Sequence, residues 1–293
     1  SGNLVWVFAT GGANDERGAK IAVDPAGTKV VVLGSYTGAT VIGSGPQAVS
    51  LPAGGVSDAL LATFSAADGS IQWGTRVSSG LAVVPFDVIV DGAGRITAHV
   101  SFSATANLGV GADQQTLGAG ATSNLAVLRY DLAGTRQWVR VVSGNNATGG
   151  AIAVAPDGKV RLAGSFVGSL DAGNSITLSA AGYWGTGYVV DLGADGVATG
   201  ARRFGGSALN YVDSAALAPD GTLVVAGHWS GTITFAGRSA TMTSPSPLYG
   251  NPVFGHYVAR WSPTSTETGL QTIDTGTGSV RMAMDGAGEV VVA

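Results

Sequence analysis

The chain has no cysteine and little charge, and each deficit excludes a class of protein. Without cysteine there is no disulfide, no thiolate metal ligand and no cysteine nucleophile. Only 12% of the 293 residues are charged, the formal net charge is -4, and just three of the residues are lysines. So weakly acidic a chain offers no basic surface for nucleic acid and no polybasic segment for anionic lipid.

Signatures of membrane insertion and of catalysis are missing as well. No run of 18 apolar residues occurs, which is about the least that a transmembrane helix needs. The sequence has no G-x-S-x-G, G-x-G-x-x-G or P-loop motif and no D-x-[DN]-x-[DN]-G calcium loop. The histidines His99, His228 and His256 have no second ligand at a metal-binding spacing. We therefore predict no metal, no cofactor, no membrane insertion and no enzymatic activity.

Glycine and apolar residues are abundant instead. The chain has 47 glycines, and 45% of its residues are hydrophobic, which excludes a disordered polar chain. The glycines have no period of three, which excludes collagen. The length suffices for one large all-β domain or for two smaller ones.

An apolar–turn–apolar motif recurs five times, and its turn glycines are 63 to 67 residues apart. Each copy has Asp or Pro early in the turn and Gly late, which is typical of a hairpin between two strands, here named A and B. The copies are IAVDPAGTKVVVLGSYTG (21–38), VIVDGAGRITAHVSFSA (88–104), IAVAPDGKVRLAGSFVG (152–168), AALAPDGTLVVAGHWSG (215–231) and MAMDGAGEVVVA (282–293). We expect the turn aspartates to cap these turns through their side chains.

A second hairpin, of strands C and D, follows in each of the first four repeats. It lies at 58–77, 124–142, 187–204 and 256–273, and the fourth copy has a Ser/Thr/Pro run in place of the Asp-x-x-Gly-like turn. A long insert rich in Gly, Ser and Thr separates B from C. Inserts such as TVIGSGPQAVSL (40–51) alternate enough to predict a small extra hairpin.

Repeated four-stranded units predict an all-β fold, namely a β-propeller of four-stranded antiparallel blades with about 65 residues per repeat. The repeats cover 9–77, 78–142, 143–204 and 205–274, and residues 1–8 and 275–293 supply a partial fifth blade of one domain, 1–293. Stacked β-sandwiches and a β-solenoid are the alternatives, although a solenoid favours repeats nearer about 20 residues.

The two ends of the chain lie inside predicted strands. GNLVWVF (2–8) aligns with strand D, and the final DGAGEVVVA (285–293) stops within strand B. Either the two ends build a composite fifth blade, giving a five-bladed ring, or the chain is a piece of a larger ring. In both interpretations we expect further residues beyond Ala293.

The segments 6–38 and 202–231 resemble the bacterial β-propeller repeat called SBBP, and the APDGxxxxAG core of repeats three and four resembles the delta-60 repeat. The pattern departs from these families at the fourth C–D turn and in HVSFSATANL, where the usual Gly after strand B is missing. The resemblance implies bacterial secreted or cell-surface proteins in which propellers are binding or spacer modules, and it implies no shared catalytic residues.

The topology of a four-stranded meander predicts where a ligand would bind. A–B and C–D turns share one end of the sheets, while the long B–C inserts and the D–A connections share the other. Binding residues concentrate on loops that a rigid scaffold holds, which favours the second end. Its candidate ligand-binding residues are Tyr183, Trp184, Tyr211, His228, Trp229, Tyr249, Asn145 and Asn251.

Each candidate has a structural alternative. The aromatic residues could instead cover blade edges. Tyr36, Phe102, Phe166 and Trp229 end strand B in all four repeats, which suggests either a ring of identical sites or a repeated packing position.

The sequence thus predicts a non-enzymatic binding or scaffold module whose partner is a protein or a carbohydrate. The first alternative is a lectin with repeated shallow sites. The second is a glycosidase or lyase that uses carboxylates near the propeller axis, with Asp15, Asp87 and Asp213 as candidates. The alternative for these carboxylates, and the one that the sequence favours, is that they are solvated loop charges.

Overall fold

The computed structural model of the chain describes residues 4–7, 15–111, 114–118, 122–180, 185–206, 209–235, 238–242, 254–264, 266–276, 282–284 and 290–292. The chain divides into two units, Ser1–Val141 and Val142–Ala293, and each is described by itself. Among the described residues, no helix is long and apolar enough to cross a membrane.

The described secondary structure is almost all β-strand, with one 3-10 turn at Gly45–Gln47. The strands in chain order are β1 (Glu16–Val23), β2 (Lys29–Tyr36), β3 (Thr40–Ile42), β4 (Val49–Leu51), β5 (Asp58–Ser65), β6 (Ile71–Ser79), β7 (Val84–Val90), β8 (Ile96–Phe102), β9 (Ala106–Leu108), β10 (Gln115–Leu117), β11 (Ser123–Tyr130), β12 (Arg136–Val154), β13 (Val160–Gly173), β14 (Ile176–Ser179), β15 (Thr186–Leu192), β16 (Ala198–Phe204), β17 (Asn210–Leu217), β18 (Leu223–Trp229), β19 (Gly231–Phe235), β20 (Arg238–Met242), β21 (Phe254–Trp261), β22 (Glu267–Gly276), β23 (Met282–Met284) and β24 (Val290–Val292).

The first unit contains two antiparallel meanders, in which strands that follow one another as A, B, C and D are also neighbours in space. The first runs β1-β2-β5-β6, and the second runs β7-β8-β11 and continues into the start of β12. In the second unit the end of β12 opens a third meander with β13, β15 and β16, and β17-β18-β21-β22 form the fourth. The predicted all-β, antiparallel class is therefore confirmed.

The turns that join these strands follow the predicted chemistry. Asp91 Oδ1 accepts hydrogen bonds from the backbone N–H groups of Ala93 and Arg95, both at 3.0 Å, and Asp131 caps its C–D turn in the same way. Turn glycines supply the left-handed conformation, with Gly94 at φ 74° and Gly134 at φ 90°. The predicted turn capping is confirmed for the described turns.

The fourth C–D turn, which lacks the Asp-x-x-Gly-like pattern, closes by a substitute. Ser262 Oγ accepts a hydrogen bond from the Thr266 backbone N–H at 3.1 Å, and the Ser262 N–H donates to the Thr266 carbonyl at 2.8 Å. A serine hydroxyl thus does here what an aspartate carboxylate does in the other repeats.

Every B–C insert forms a hairpin, as predicted for 40–51. The pairs are β3 with β4, β9 with β10, the end of β13 with β14, and β19 with β20. These hairpins also send side chains into the interior, because Ile42, Leu117, Leu170 and Phe235 are all almost fully buried. The inserts are therefore part of the folded core of their units.

The core of each unit lies between the faces of two meanders. In the first unit, Leu33 and Leu61 of one meander pack in the same cluster as Ile96 and Leu128 of the next. In the second unit, Val189 and Phe204 share a cluster with Val225 and Trp261. Each such side chain contributes about 1.5–3 kcal/mol when fully buried.

The fifth copy of the motif also forms a hairpin, since Met282 to Met284 pair antiparallel with Val292 to Val290. The number of blades and the closure of a ring stay predictions.

Candidate functional site

A β-bulge interrupts strand A at the same place in all four meanders. The register shifts between Gly18 and Lys20, Pro85 and Asp87, Gly149 and Ala151, and Val212 and Ser214. The residue left in the bulge is Ala19, Phe86, Gly150 and Asp213, respectively. A bulged residue has no cross-strand partner, so its side chain can be aimed differently from those of a regular strand. Only the fourth bulge holds an ionisable residue.

Beside this fourth bulge, three side chains form a row across neighbouring strands. Tyr211 of β17 lies opposite His228 of β18, and His228 lies opposite His256 of β21. Directly opposed residues project from the same face of a sheet, so the three rings belong to one surface, and all are partly exposed. The Tyr211 and His228 rings stack, with centroids 4.9 Å apart and planes 27° apart.

The bulged carboxylate binds the central ring of the row. Asp213 Oδ2 lies 2.7 Å from His228 Nδ1, and both side chains are mostly but not fully buried, with 11% and 16% of their surface exposed. Because a carboxylate only accepts, Nδ1 carries the hydrogen of this bond.

A buried tyrosine fixes the start of β17, on which Tyr211 stands. The Tyr257 hydroxyl lies 2.9 Å from Asn210 Oδ1 and 3.0 Å from the Tyr211 carbonyl oxygen. Burial raises the pKa of Tyr257 well above its usual value, and the negative charge of Asp213 raises it further. The hydroxyl therefore keeps its proton and stays a donor to β17.

The site lies at the end of the fourth meander where long connections enter and leave. Tyr211 is the second residue of β17, His228 is one residue from the end of β18, and His256 is the third residue of β21. This is the end that carries the D–A connection and the B–C insert, where the sequence predicts the binding face. The structure brings the candidates Tyr211 and His228 into direct contact there.

The other candidates lie elsewhere. Trp229 is 1% exposed, its Nε1 donates to the Gly231 carbonyl at 3.2 Å, and it belongs to the core of the second unit, so it offers no surface to a ligand. Tyr36, Phe102 and Phe166, at the same place in the other repeats, are equally buried. Asn145 is exposed and lies opposite Val167 in the third repeat. Tyr183, Trp184, Tyr249 and Asn251 lie outside the described residues.

The three carboxylates predicted near strand A occupy different places. Asp15 precedes β1 and is highly exposed, with a 3.8 Å ion pair to Arg17. Asp87 follows its bulge and lies opposite His99, whereas Asp213 stands in its bulge. Among the described residues, no group of three or more His, Cys, Asp or Glu side chains is placed to hold a metal ion.

Sequence reasoning missed His256 and the role of Asp213 as a partner of His228. A signal was available, because His228 replaces a serine that the other repeats share at the same place: Ser35, Ser101 and Ser165. This departure from the repeat pattern would have identified position 228. The contact with His256, in contrast, depends on cross-strand register and has no sequence signature.

No family model matches the chain, and no curated protein matches it. The resemblance to the SBBP and delta-60 repeats therefore stays a prediction. Among solved structures, the Dos1 propeller is similar to this chain over 97% of this chain and 92% of its own, at 7% identity and a TM-score of 0.36. Identity and TM-score are both too low to carry an argument about fold or function.

Proposed function

We propose that the chain is a binding module whose ligand contacts the Tyr211–His228–His256 row and the Asp213 carboxylate. The observation that carries this proposal is the row itself. Three ring side chains and a carboxylate lie side by side, partly exposed, at the end of a rigid sheet where long connections meet. The corresponding places in the other described repeats hold no such combination.

The chemistry of the row favours a carbohydrate ligand. A tyrosine ring offers an apolar face against which a sugar ring packs. The Asp213 carboxylate accepts hydrogen bonds and the imidazole of His228 is a further polar group, and sugars are rich in hydroxyl groups that donate and accept. Few, well-placed polar groups beside an aromatic surface are typical of small-molecule sites.

We further propose that the four meanders are blades of a β-propeller. The support comes from within each unit, where consecutive meanders repeat one strand order, one bulge position and one kind of face-to-face packing. The prediction of a bacterial secreted or cell-surface protein rests on the sequence resemblance alone.

A glycan array probed with the purified chain tests the binding proposal. The variants His228→Ser and Tyr211→Ala should bind the glycans that the wild type binds with an affinity at least about tenfold weaker. A loss of this size is expected when a central contact residue is removed. Serine at 228 is the residue of the other repeats, so that variant is expected to fold.

Ser35→Ala is the matched control, because Ser35 occupies the place of His228 in the first repeat. It should bind as the wild type does. If no glycan binds, or if both site variants bind as tightly as the wild type, the proposed site is wrong.

A further inference from the structure

Strand D of the third repeat lacks a tryptophan that strand D of the first repeat has. Asp191 in the third repeat corresponds to Thr63 in the first repeat. Both residues lie in strand C and pair with a residue of strand D. Thr63 lies opposite Trp73, whereas Asp191 lies opposite Gly200. The register therefore puts a glycine where the first repeat has an indole ring.

In the first unit this tryptophan connects one repeat to the next. Trp73 Nε1 donates to the Leu132 carbonyl at 3.2 Å, in the C–D turn of the second repeat. Trp6 donates in the same way to Ala66 at 2.8 Å. Each indole also covers the glycine of the turn it contacts, because a Cβ on Gly134 or Gly69 would lie 2.7 Å from the nearest ring atom.

In the second unit an arginine makes the corresponding hydrogen bond to the next C–D turn. Pro263 has the place of Leu132 in the turn, and its carbonyl accepts from Arg161 Nη2 at 2.9 Å. Beside Gly200 lies a cleft of about 420 Å³, at the short-turn end of the meanders, with Lys159, Arg161, Asp191 and Arg202 among its lining residues. A cleft of about 380 Å³ lies beside Trp73 in the first unit, but Arg136 is the one charged residue among those that line it. The turn residue aligned with Gly134 is Ser265, so tryptophan and turn glycine are absent together.

Two guanidinium groups share one carboxylate in this cleft. Arg161 Nε lies 3.4 Å from Asp191 Oδ1, and Arg202 Nη2 is paired with Asp191 Oδ2. The side chains of Arg161 and Arg202 are 13% and 17% exposed. Three of the lining residues are cationic and one is anionic, and Lys159 has its own partner in Asp157 at 2.7 Å.

Arg202 is the less satisfied of the two arginines. Its Nη1 atom is buried and has no hydrogen-bond partner among the described residues. Burial, together with repulsion by Arg161, lowers the pKa of Arg202 to about 10, and the negative charge of Glu267 opposes this shift. A buried guanidinium N–H without an acceptor is costly, so an acceptor that reaches it is bound favourably.

We propose that the cleft binds an oxyanion, a carboxylate, sulfate or phosphate group, between the guanidinium groups of Arg161 and Arg202. Guanidinium matches the planar, two-oxygen edge of such groups and forms charge-assisted hydrogen bonds with them. Nη1 is closed to solvent, so an anion that contacts this atom requires a rotation of the Arg202 head group. This site is separate from the Tyr211–His228–His256 row, and either proposal can fail without the other.

Sulfate titration of thermal unfolding tests the proposal. Sulfate stabilises proteins generally by exclusion from their surface, and that effect rises without saturation. Against sodium chloride at equal ionic strength, the wild type should show an additional, saturable rise of the unfolding midpoint. Arg202→Gln should weaken the apparent sulfate affinity about tenfold or more.

Two further variants separate the cleft from net charge and from misfolding. Arg203→Gln removes the same charge from the exposed neighbouring residue of β16 and should titrate like the wild type. Gly200→Trp restores the tryptophan of the other repeat, removes no charge and should abolish the saturable rise. A Cβ at Gly200 meets only Asp191 Oδ2, at 3.5 Å, so the backbone accepts a side chain there.

Parallel titrations with phosphate and with glucuronate show which oxyanion the cleft prefers, an inorganic anion or an acidic sugar. Saturation by any of them, lost in Arg202→Gln and in Gly200→Trp, supports the proposal. An unsaturable wild-type response, an equal response in all variants, or equal saturation by chloride overturns it.

Discussion

At the scale of the residue, the buried side chain of His99 makes the stability of the fold depend on pH. Its side chain is fully buried in the first unit and stacks on Phe86, with ring centroids 5.3 Å apart. Neither ring nitrogen has a hydrogen-bond partner among the described residues. Burial lowers the pKa of His99 from 6.5 to about 3, so the folded protein keeps the ring neutral at ordinary pH.

The sign of the resulting pH dependence follows from the direction of this shift. The unfolded chain binds a proton at His99 below about pH 6.5, and the folded chain does not until about pH 3. Stability is therefore complete above the unfolded pKa and is lost as the pH falls between those two values. From pH 7 to pH 5 the loss from this residue is about 2 kcal/mol.

We predict that His99→Leu removes that part of the pH dependence. Leu33 occupies the same place in the first repeat, so the replacement suits the fold. Urea unfolding at pH 7, 6 and 5 measures the effect, with wild type and variant compared at each pH. Parallel loss of stability in the two proteins would show that His99 does not carry the dependence.

At the scale of the element, the connection from strand B to the insert has a strained backbone in the second repeat. The residue two positions after Tyr36, Phe166 and Trp229 is a glycine, and all three glycines have φ of 70° or 71°. After Phe102 the residue is Ala104, with φ 55°. An alanine in this left-handed conformation costs about 1–2 kcal/mol relative to its usual conformations.

Ala104→Gly should therefore stabilise the protein, by about 0.5–1 kcal/mol after the greater entropy of glycine in the unfolded chain is subtracted. Ala104 is exposed, so no cavity forms. Ala39→Gly is the control, because Ala39 is also exposed and is not among the residues with positive φ. Ala39→Gly should destabilise the protein. Chemical denaturation of the two variants should therefore give changes in the free energy of unfolding of opposite sign.

How far the sequence predicts these elements depends on the range of the interactions. Turn aspartates and glycines act within four or five residues, so their spacing predicts the A–B and C–D strand pairs correctly. The alternation within an insert such as 40–51 is equally local and predicts its hairpin correctly. The Trp73 contact with Leu132 spans 59 residues, and it forms only because consecutive repeats pack together. The His228–His256 contact needs the cross-strand register, and the bulge accepts residues as different as Ala19 and Asp213, so neither could be predicted.

At the scale of the whole molecule, the protection of backbone amides from hydrogen exchange should follow the same pattern in each repeat. Strands B and C have a hydrogen-bonded neighbour on both sides in every meander, whereas β1, β7 and β17 end their sheets in the described part of the chain. Amides of a terminal strand open without disturbing the rest of the sheet.

Hydrogen exchange followed by mass spectrometry should thus give a repeating profile. We expect peptides from β2, β8 and β18 to exchange at least about tenfold more slowly than those from β1, β7 and β17. Comparison within one repeat is the internal control, because the two strands share a turn. Equal protection of strands A and B throughout would contradict the described pairing.

In each meander, the bulged residue of strand A is a position where a different side chain can be introduced without disturbing the pairing of the strands. Because the bulged residue is outside the ladder, Ala19, Phe86, Gly150 and Asp213 occupy it without altering the register on either side. Ala19→Asp together with Ser35→His would graft the carboxylate–imidazole pair of the fourth repeat onto the first. A chain built this way can diversify one copy at a time, with the unchanged copies preserving the scaffold.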